Sequence, residues 1–206
     1  MKKNKKLLVL VALFLAVFAV GGTLAYLTDT TDPVTNTFTF GKVDITLTEP
    51  TWDTTGKTAA ADMAPGVEVD KDPTVKVETN SKNAFVFAKV TIPTGTAGGV
   101  ADQELFTVGT LGAGWTEVTS ILGITTKGVH VYAYGTTSAM TSVAKGTTLP
   151  AVFTKIKANA NLTETEIPNY QTDRKANVVV NAYAIQAEGL NETGASAVWT
   201  ALGVRN

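Results

Sequence analysis

Short runs of β-branched and aromatic residues recur along most of this 206-residue chain, and Gly, Pro, Asn or Asp separates them. This pattern predicts strands joined by turns. The candidate strands are 34–40, 43–48, 74–78, 84–92, 104–108, 129–134, 150–158 and 177–187. Apolar residues nowhere follow a helical period for more than about three turns. The sequence therefore predicts an all-β fold.

Two of these candidate strands carry apolar residues at both odd and even positions. Residues 84–92 are apolar on both parities up to Lys89, and residues 178–180 and 182–185 show a similar pattern. Because side chains alternate between the two faces of a strand, both faces of these strands should be covered. In 129–134 the odd-numbered residues predict a core face and the even-numbered residues a partly covered face. Two central strands and several half-buried strands predict two packed sheets, a β-sandwich.

The C-terminal stretch has a different period. Its apolar residues fall at i, i+3, i+4 and i+7, which is one face of a helix: Ala195, Val198, Trp199 and Leu202. Thr193 is suited to begin this short helix and Gly203 to end it. We expect Trp199 to plug one end of the sandwich. Residues 93–103 lack periodicity and predict an exposed loop.

The N-terminus has the three parts of a secretory signal in the order that export requires. Four lysines among the first six residues precede the apolar run Leu7–Val20, and Thr23-Leu24-Ala25 then offers small residues to a signal peptidase. This order predicts cleavage between Ala25 and Tyr26. The alternative is an uncleaved membrane anchor, because Leu7–Leu27 is long enough to span a bilayer.

Cleavage would divide the chain into a signal peptide at 1–25, an extended segment at 26–41 and a β-sandwich domain at 42–206. Removing the four lysines from the 17 basic residues leaves 13 against 18 acidic residues, a net charge of −5. This charge argues against a nucleic-acid partner. The membrane would be a partner only through the signal peptide before cleavage. We expect a secreted protein of the extracellular matrix or the cell surface, without disulfides because cysteine is absent.

The parity of the apolar residues shifts at Gly41. They are even-numbered before this glycine and odd-numbered after it: Val34, Phe38 and Phe40, then Val43, Ile45 and Leu47. One regular strand cannot bury both sets on one face. Either a bulge at Gly41 restores the register, or 26–40 and 43–48 pack in different environments. The second alternative would let 26–40 leave its own domain.

Seven short motifs occur in a fixed order along the chain. They are Gly21-Gly-Thr-Leu-Ala-Tyr-Leu-Thr-Asp29, Asn36-Thr-Phe38, Gly41-Lys-Val-Asp-Ile-Thr-Leu47, Ala64-Pro-Gly66, Lys71-Asp-Pro73, Pro150-Ala-Val-Phe153 and Ala182-Tyr-Ala-Ile-Gln186. Together they resemble the TasA/camelysin family of bacterial exported proteins. The resemblance covers most of the chain and is weakest at 93–148.

The resemblance implies a jelly-roll-like β-sandwich whose signal is cut by a SipW-type signal peptidase. It also implies a subunit of biofilm-matrix fibres that self-associates into filaments by donor-strand complementation. Residues 26–40 occupy the position of the donor segment in fibre-forming members. The candidate polymerisation residues are therefore Val34, Phe38, Phe40 and Gly41. A camelysin-like surface protein, sometimes classed as a metallopeptidase, is the other kind of member that the resemblance implies.

Residue types that carry catalysis are scarce. His130 is the only histidine, so the pair of histidines one helical turn apart that zinc peptidases use cannot form. We interpret His130 as a partly covered strand residue that stacks near Tyr132. No G-x-S-x-G turn or phosphate-binding glycine loop is present. We therefore assign no catalytic, cofactor-binding or metal-binding residue and expect no enzyme.

An acidic cluster surrounds Pro65-Gly66. Its members are Asp62, Glu68, Asp70 and Asp72. Calcium binds such oxygen ligands, but the spacing matches no EF-hand loop, and we favour a solvated acidic turn. Three functions stay open: a fibre subunit, a monomeric cell-surface binding or adhesive domain, and a camelysin-like surface metallopeptidase.

Overall fold

A computed structural model describes residues 41–167 and 175–204, which form an all-β, sandwich-like fold with short helices. The predicted signal peptide 1–25, the segment 26–40 and the candidate strand 34–40 lie outside the described residues. The strands are β1 (Ile45–Thr48), β2 (Glu68–Asp70), β3 (Thr74–Val77), β4 (Ala84–Thr91), β5 (Thr94–Ala97), β6 (Val100–Glu104), β7 (Phe106–Val108), β8 (Trp115–Glu117), β9 (Val129–Tyr134), β10 (Lys155–Ala158) and β11 (Val179–Gln186).

The first sheet, sheet I, has the antiparallel order β11-β4-β9-β8. Its strand β4 pairs with β11 over eight positions, from Val179 opposite Thr91 to Gln186 opposite Ala84. The odd-numbered side chains Phe85 and Phe87 point to one face and the even-numbered residues of β4 to the other, and nearly all of them are buried. The prediction of a central strand covered on both faces is confirmed for β4.

The second sheet, sheet II, is assembled from two smaller pieces. Strand β1 pairs with β3, and β10 pairs with β2 on one side and β7 on the other. Residues 146–152 run beside 73–77 and join the pieces, because Leu149 N–H donates to the Val75 carbonyl at 2.9 Å and Val152 N–H to the Pro73 carbonyl at 2.8 Å. The inner faces of the two sheets enclose the main core, which includes Val75, Val77, Val86, Tyr132 and Phe153.

A single stretch of chain closes one side of the sandwich. Strand β7 is the edge of sheet II, and the chain crosses from it to β8, the edge of sheet I. The crossing is fastened to both sheets: Gly112 N–H donates to the Val152 carbonyl, Trp115 Nε1 to the Pro150 carbonyl at 2.9 Å, and Gly135 N–H to the Gly114 carbonyl. We call this the closed side. On the opposite side, which we call the open side, the edges are β1 and β11.

A third layer covers the outer face of sheet I. The C-terminal helix Ala195–Leu202 packs there, and the indole ring of Trp199 meets Phe87 edge-on at 5.0 Å and Tyr183 at 5.8 Å between ring centroids. The prediction of this helix and of its Gly203 terminus, where φ is 70°, is confirmed. Two details were wrong. Gly194 is the N-cap, and Trp199 covers a face of the sheet rather than one end, because the aromatic outer face needs an apolar cover.

Two other expectations were wrong in instructive ways. Residues 93–103, predicted as a loop, form the β5–β6 hairpin around Gly98 and Gly99, whose positive φ values suit a tight turn. Tyr132, predicted to be partly covered, is buried between the sheets with 1% of its surface exposed. The hairpin strands consist mainly of small and polar residues without apolar alternation, and the residues that cover Tyr132 are distant in sequence, so local alternation revealed neither feature.

Candidate functional site: the open side

The edge of β11 is the most unusual feature of the open side. Among the described residues β11 pairs only with β4, so its other edge carries backbone N–H and C=O groups without a strand partner. Its sequence Val-Val-Asn-Ala-Tyr-Ala-Ile-Gln contains no charge and no proline, and its register with β4 has no bulge. Charges, prolines and bulges are the usual devices that prevent edge-to-edge pairing. Strand β11 lacks all three and is therefore suited to accept another strand.

The sequence pattern of β11 predicted a strand covered on both faces. Both faces are covered, as in β4, but β11 lies at the edge of its sheet and β4 in the middle. Sheet II lies over its even-numbered side chains and the C-terminal helix over Tyr183 and Ile185. Apolar residues at both odd and even positions therefore indicate that both faces of a strand are covered. They do not indicate whether a neighbouring strand pairs with each of its two edges. Within residues 41–167 and 175–204, β11 lies at the edge of its sheet, and the expectation of a central strand was wrong for this part of the chain.

The inner face of β11 carries small side chains. Val180, Ala182 and Ala184 are half-buried and pack against the main core, as do Ile45 and Leu47 of β1. Small residues at an uncovered edge leave space beside them for larger apolar side chains of an added strand.

A cavity opens at the beginning of β11, between the ends of the two sheets. It has a volume of about 630 Å³. Its lining is largely apolar and includes Trp52, Met63, Val69, Phe106, Ile156 and Val178. Because Val178 directly precedes β11, the cavity continues the inner face of that strand. A concave apolar site of this size is the kind of site that receives a bulky apolar group.

Charged residues hold one wall of this cavity in place. The wall is a helical segment made of Trp52–Gly56, Lys57–Ala59 and Ala60–Asp62, which the sequence did not reveal. The ammonium group of buried Lys71 lies 2.8 Å from the Glu49 carboxylate and 4.8 Å from the centre of the Trp52 ring. These contacts give the Lys71-Asp-Pro73 motif a local structural role.

Asp72 holds the same wall in place by accepting hydrogen bonds at the start of the helical segment. Its carboxylate accepts the N–H groups of Thr51 at 2.9 Å and of Trp52 at 3.1 Å. Burial opposes ionisation of Asp72, but hydrogen bonds from the Thr51 side chain and from these two N–H groups outweigh it, so the pKa of Asp72 lies below its usual value.

Gly41 is the one candidate polymerisation residue that lies within the described residues. It sits against the side chain of Lys82, at the end of β11 opposite the cavity. A bulge at this position would involve residues before Gly41, which lie outside the described residues, so both explanations of the parity shift stay predictions. The candidate residues Ala25, Tyr26, Val34, Phe38 and Phe40 lie outside the described residues, and their roles stay predictions.

The acidic residues around Pro65-Gly66 do not converge. Asp72 binds the backbone of the helical segment, and Asp70 pairs with Lys155 at 3.1 Å on the outer face of sheet II. Within residues 41–167 and 175–204, no group of three or more His, Asp and Glu side chains is placed to hold a metal ion.

His130 is half-buried on β9 and lies between two carboxylates. Its Nδ1 is 2.9 Å from Glu117, its Nε2 is 3.2 Å from Glu104, and its ring is nearly parallel to that of Tyr132 with centroids 6.4 Å apart. The predicted position beside Tyr132 is confirmed. These contacts connect β9 with β8 and with the hairpin strand β6.

In the part of the chain that the structure describes, no helix has the length and apolar character needed to cross a bilayer. Comparison of the sequence with protein-family models found no match. Searches of curated proteins and of solved structures also found no similar protein.

Proposed function

We propose that this protein is a secreted structural subunit that assembles into extracellular, biofilm-matrix-type fibres by donor-strand exchange. In this proposal the segment 26–40 of one subunit pairs with the β11 edge of the next. The observation that carries the proposal is the β11 edge itself: eight residues long, uncharged, without a bulge, and continuous with an apolar cavity.

The energetics of such a junction come from two sources. The unpaired backbone groups of β11 would form a ladder with the added strand, and this share depends little on sequence. Val34, Phe38 and Phe40 would contact the inner face of β11 and the cavity. Burying each of these side chains is worth about 1.5–3 kcal/mol, before the cost of ordering the segment.

The resemblance of the short motifs to the TasA/camelysin family supports the same proposal, as do the signal-like N-terminus and the expected SipW-type processing. A monomeric surface-binding domain is the main competing function, and it predicts the same fold. Assembly distinguishes the two, because only a fibre subunit needs the β11 edge to be occupied by a second copy.

The test compares two faces of the donor segment in the chain that lacks residues 1–25. Phe38→Asp with Phe40→Asp would place two carboxylates in an apolar environment, and we expect negative-stain electron microscopy to show no filaments. The matched variant Thr37→Asp with Thr39→Asp changes the same charge on the opposite face of the strand and should retain filaments. Equal assembly by both variants would contradict donor-strand exchange, and a parent protein that stays monomeric would favour the surface-binding alternative.

A further inference from the structure

The direction of a donor segment on β11 can be inferred from the two ends of that strand. This inference rests on the proposed function and adds the orientation of the incoming strand. At one end, the Lys42 carbonyl accepts the N–H of Lys82 at 2.9 Å, and the Lys82 side chain lies 3.2 Å from Glu188, two residues beyond β11. Gly41, to which each subunit's own segment 26–40 is joined, therefore lies at the Gln186 end of β11.

The opposite end of β11 holds the apolar cavity, whose lining includes Ala176, Asn177 and Val178. Lysines occur near both ends, with Lys57 beside the cavity and Lys145 near Glu188. Charge alone therefore does not determine which end of the donor segment lies at which end of β11. The difference between the ends is the cavity, whose lining is more apolar than polar.

The donor segment has a polarity that matches this difference. Asp29 and Asp32 lie in its first half, and Phe38 and Phe40 are in its second half. Burial of phenylalanine is favourable, whereas burial of an unpaired carboxylate is costly. The geometry points to a donor that lies antiparallel to β11, with Phe40 at the cavity and the aspartates beyond the Gln186 end.

Length and parity agree with this orientation. Pro33–Phe40 and Val179–Gln186 are eight residues each, which is about 26 Å of extended chain at roughly 3.3 Å per residue. With Phe40 opposite Val178, Phe38 falls opposite Val180 and Val34 opposite Ala184. Directly opposite residues point to the same face, so all three apolar donor side chains reach the inner face of the sandwich. Pro33, which lacks an N–H group, falls at the far end of the ladder, where a donor matters least.

The orientation has a consequence for the filament. An antiparallel donor enters the acceptor from the cavity end, whereas the acceptor's own segment is joined to its domain at the Gln186 end. Successive domains then lie at opposite ends of one β11 strand, and the contact is head-to-tail and need not close. A parallel donor would bring its domain to the end where the acceptor's own segment begins.

Engineered cysteines test the orientation without background, because the chain has none. Thr39→Cys is combined with Val179→Cys in one protein and with Gln186→Cys in a second, both lacking residues 1–25. Opposed residues in neighbouring strands have Cβ atoms about 4.5–5.5 Å apart, within reach of a disulfide. Val179 and Gln186 are seven residues apart, roughly 23 Å along the strand.

We expect oxidised filaments of the Thr39/Val179 protein to give a ladder of covalent oligomers on non-reducing gels, and those of the Thr39/Gln186 protein to give none. The single-cysteine variants serve as controls, since each can form at most dimers. A ladder from the Gln186 pair alone would show a parallel donor and overturn the inference. Filaments of both proteins without any ladder would also overturn it. A cysteine-free parent that forms no filaments would instead contradict the proposed function.

Discussion

The closed and open sides of this sandwich solve the problem of exposed strand edges in opposite ways. On the closed side, β7 and β8 are only three residues long, and the chain that connects them is hydrogen-bonded to both sheets. The open side ends at β11, which is eight residues long and carries no charge. Short, covered edges resist pairing, whereas long, uncharged edges invite it. In the proposed function, this difference makes the open side the one that receives a second copy of the chain.

The two sides also differ in how they are supported. The edge strand β11 is held by the aromatic cluster of the C-terminal helix, where Trp199 packs on Tyr183. On the closed side, β8 is held from the inside: Trp115 is buried in the main core against Tyr134, and Thr116 donates a hydrogen bond to the Gly135 carbonyl at 2.7 Å. A strand that receives a partner benefits from a rigid support behind it, because less conformational freedom is then lost on binding.

Charging the open edge should give the largest effect. In the chain that lacks residues 1–25, Ala182→Lys with Ala184→Lys places two charges on the half-buried inner face of β11, where the apolar donor side chains would pack, and we expect filaments to be lost. Thr110→Lys, on the exposed crossing of the closed side, is the matched control and should leave assembly intact. The exposed control Thr110→Lys should unfold within about 0.5 kcal/mol of the parent, and circular dichroism should show that both proteins are folded. Assembly is measured by sedimentation and negative-stain microscopy, and loss of filaments in the control alone would reverse the assignment of the two sides.

Removing the support behind β11 should destabilise the whole domain. Trp199 has 4% of its surface exposed and fills the space between the helix and sheet I. Trp199→Ala should lower the free energy of unfolding by about 3–5 kcal/mol, as measured by urea denaturation. The exposed neighbour Thr200→Ala should change it by less than about 0.5 kcal/mol. Similar values for the two variants would mean that the helix is not part of the cooperative core.

A smaller, local effect is expected at the hairpin that leads into the closed side. The Glu166 carboxylate accepts the N–H groups of Gly99 at 2.7 Å and Gly98 at 3.1 Å. Hydrogen bonds from Gly99 and then from Thr163 lower the pKa of Glu166 from 4.5 to about 2. A lowered pKa in the folded state means that the contact stabilises the fold above pH 4.5 and is lost as the pH falls towards 2.

NMR can follow this titration directly. The amide shifts of Gly98 and Gly99 should change with a midpoint near pH 2, and the change should be absent in Glu166→Gln. A midpoint near pH 4.5 would mean that the Glu166 contact does not persist in solution.

The smallest effect is expected at Tyr132, beside the closed edge. Burial, and then the charges of Glu117 and Glu104, raise the pKa of its hydroxyl. This hydroxyl has no hydrogen-bond partner among the described residues. Removal of a buried, unsatisfied hydroxyl costs little, so Tyr132→Phe should leave the free energy of unfolding unchanged or raise it by up to about 1 kcal/mol. A loss of more than about 1 kcal/mol would reveal a polar partner for this group.

Local pattern predicted much of the fold and little of the candidate site. The β4 and β9 strands and the C-terminal helix followed from alternation and helical period, because each buries a continuous apolar face. The position of β11 at an edge did not follow, because edge or centre is set by which strands pair over long distances. The cavity was equally hidden, since its residues come from five or more separate segments. The one available signal was the uncharged run 178–186, which was interpreted as a central strand.

Hydrogen exchange tests the central claim most directly, namely that a second copy occupies the β11 edge. Exchange of backbone amides in the chain that lacks residues 1–25 is compared between monomers and filaments by mass spectrometry, with peptides covering 179–186 and 115–117. We predict that assembly protects amides of β11 and leaves those of β8 unchanged, because only the open edge gains a hydrogen-bonded strand. Filaments in which β11 exchanges as fast as in the monomer would contradict the account.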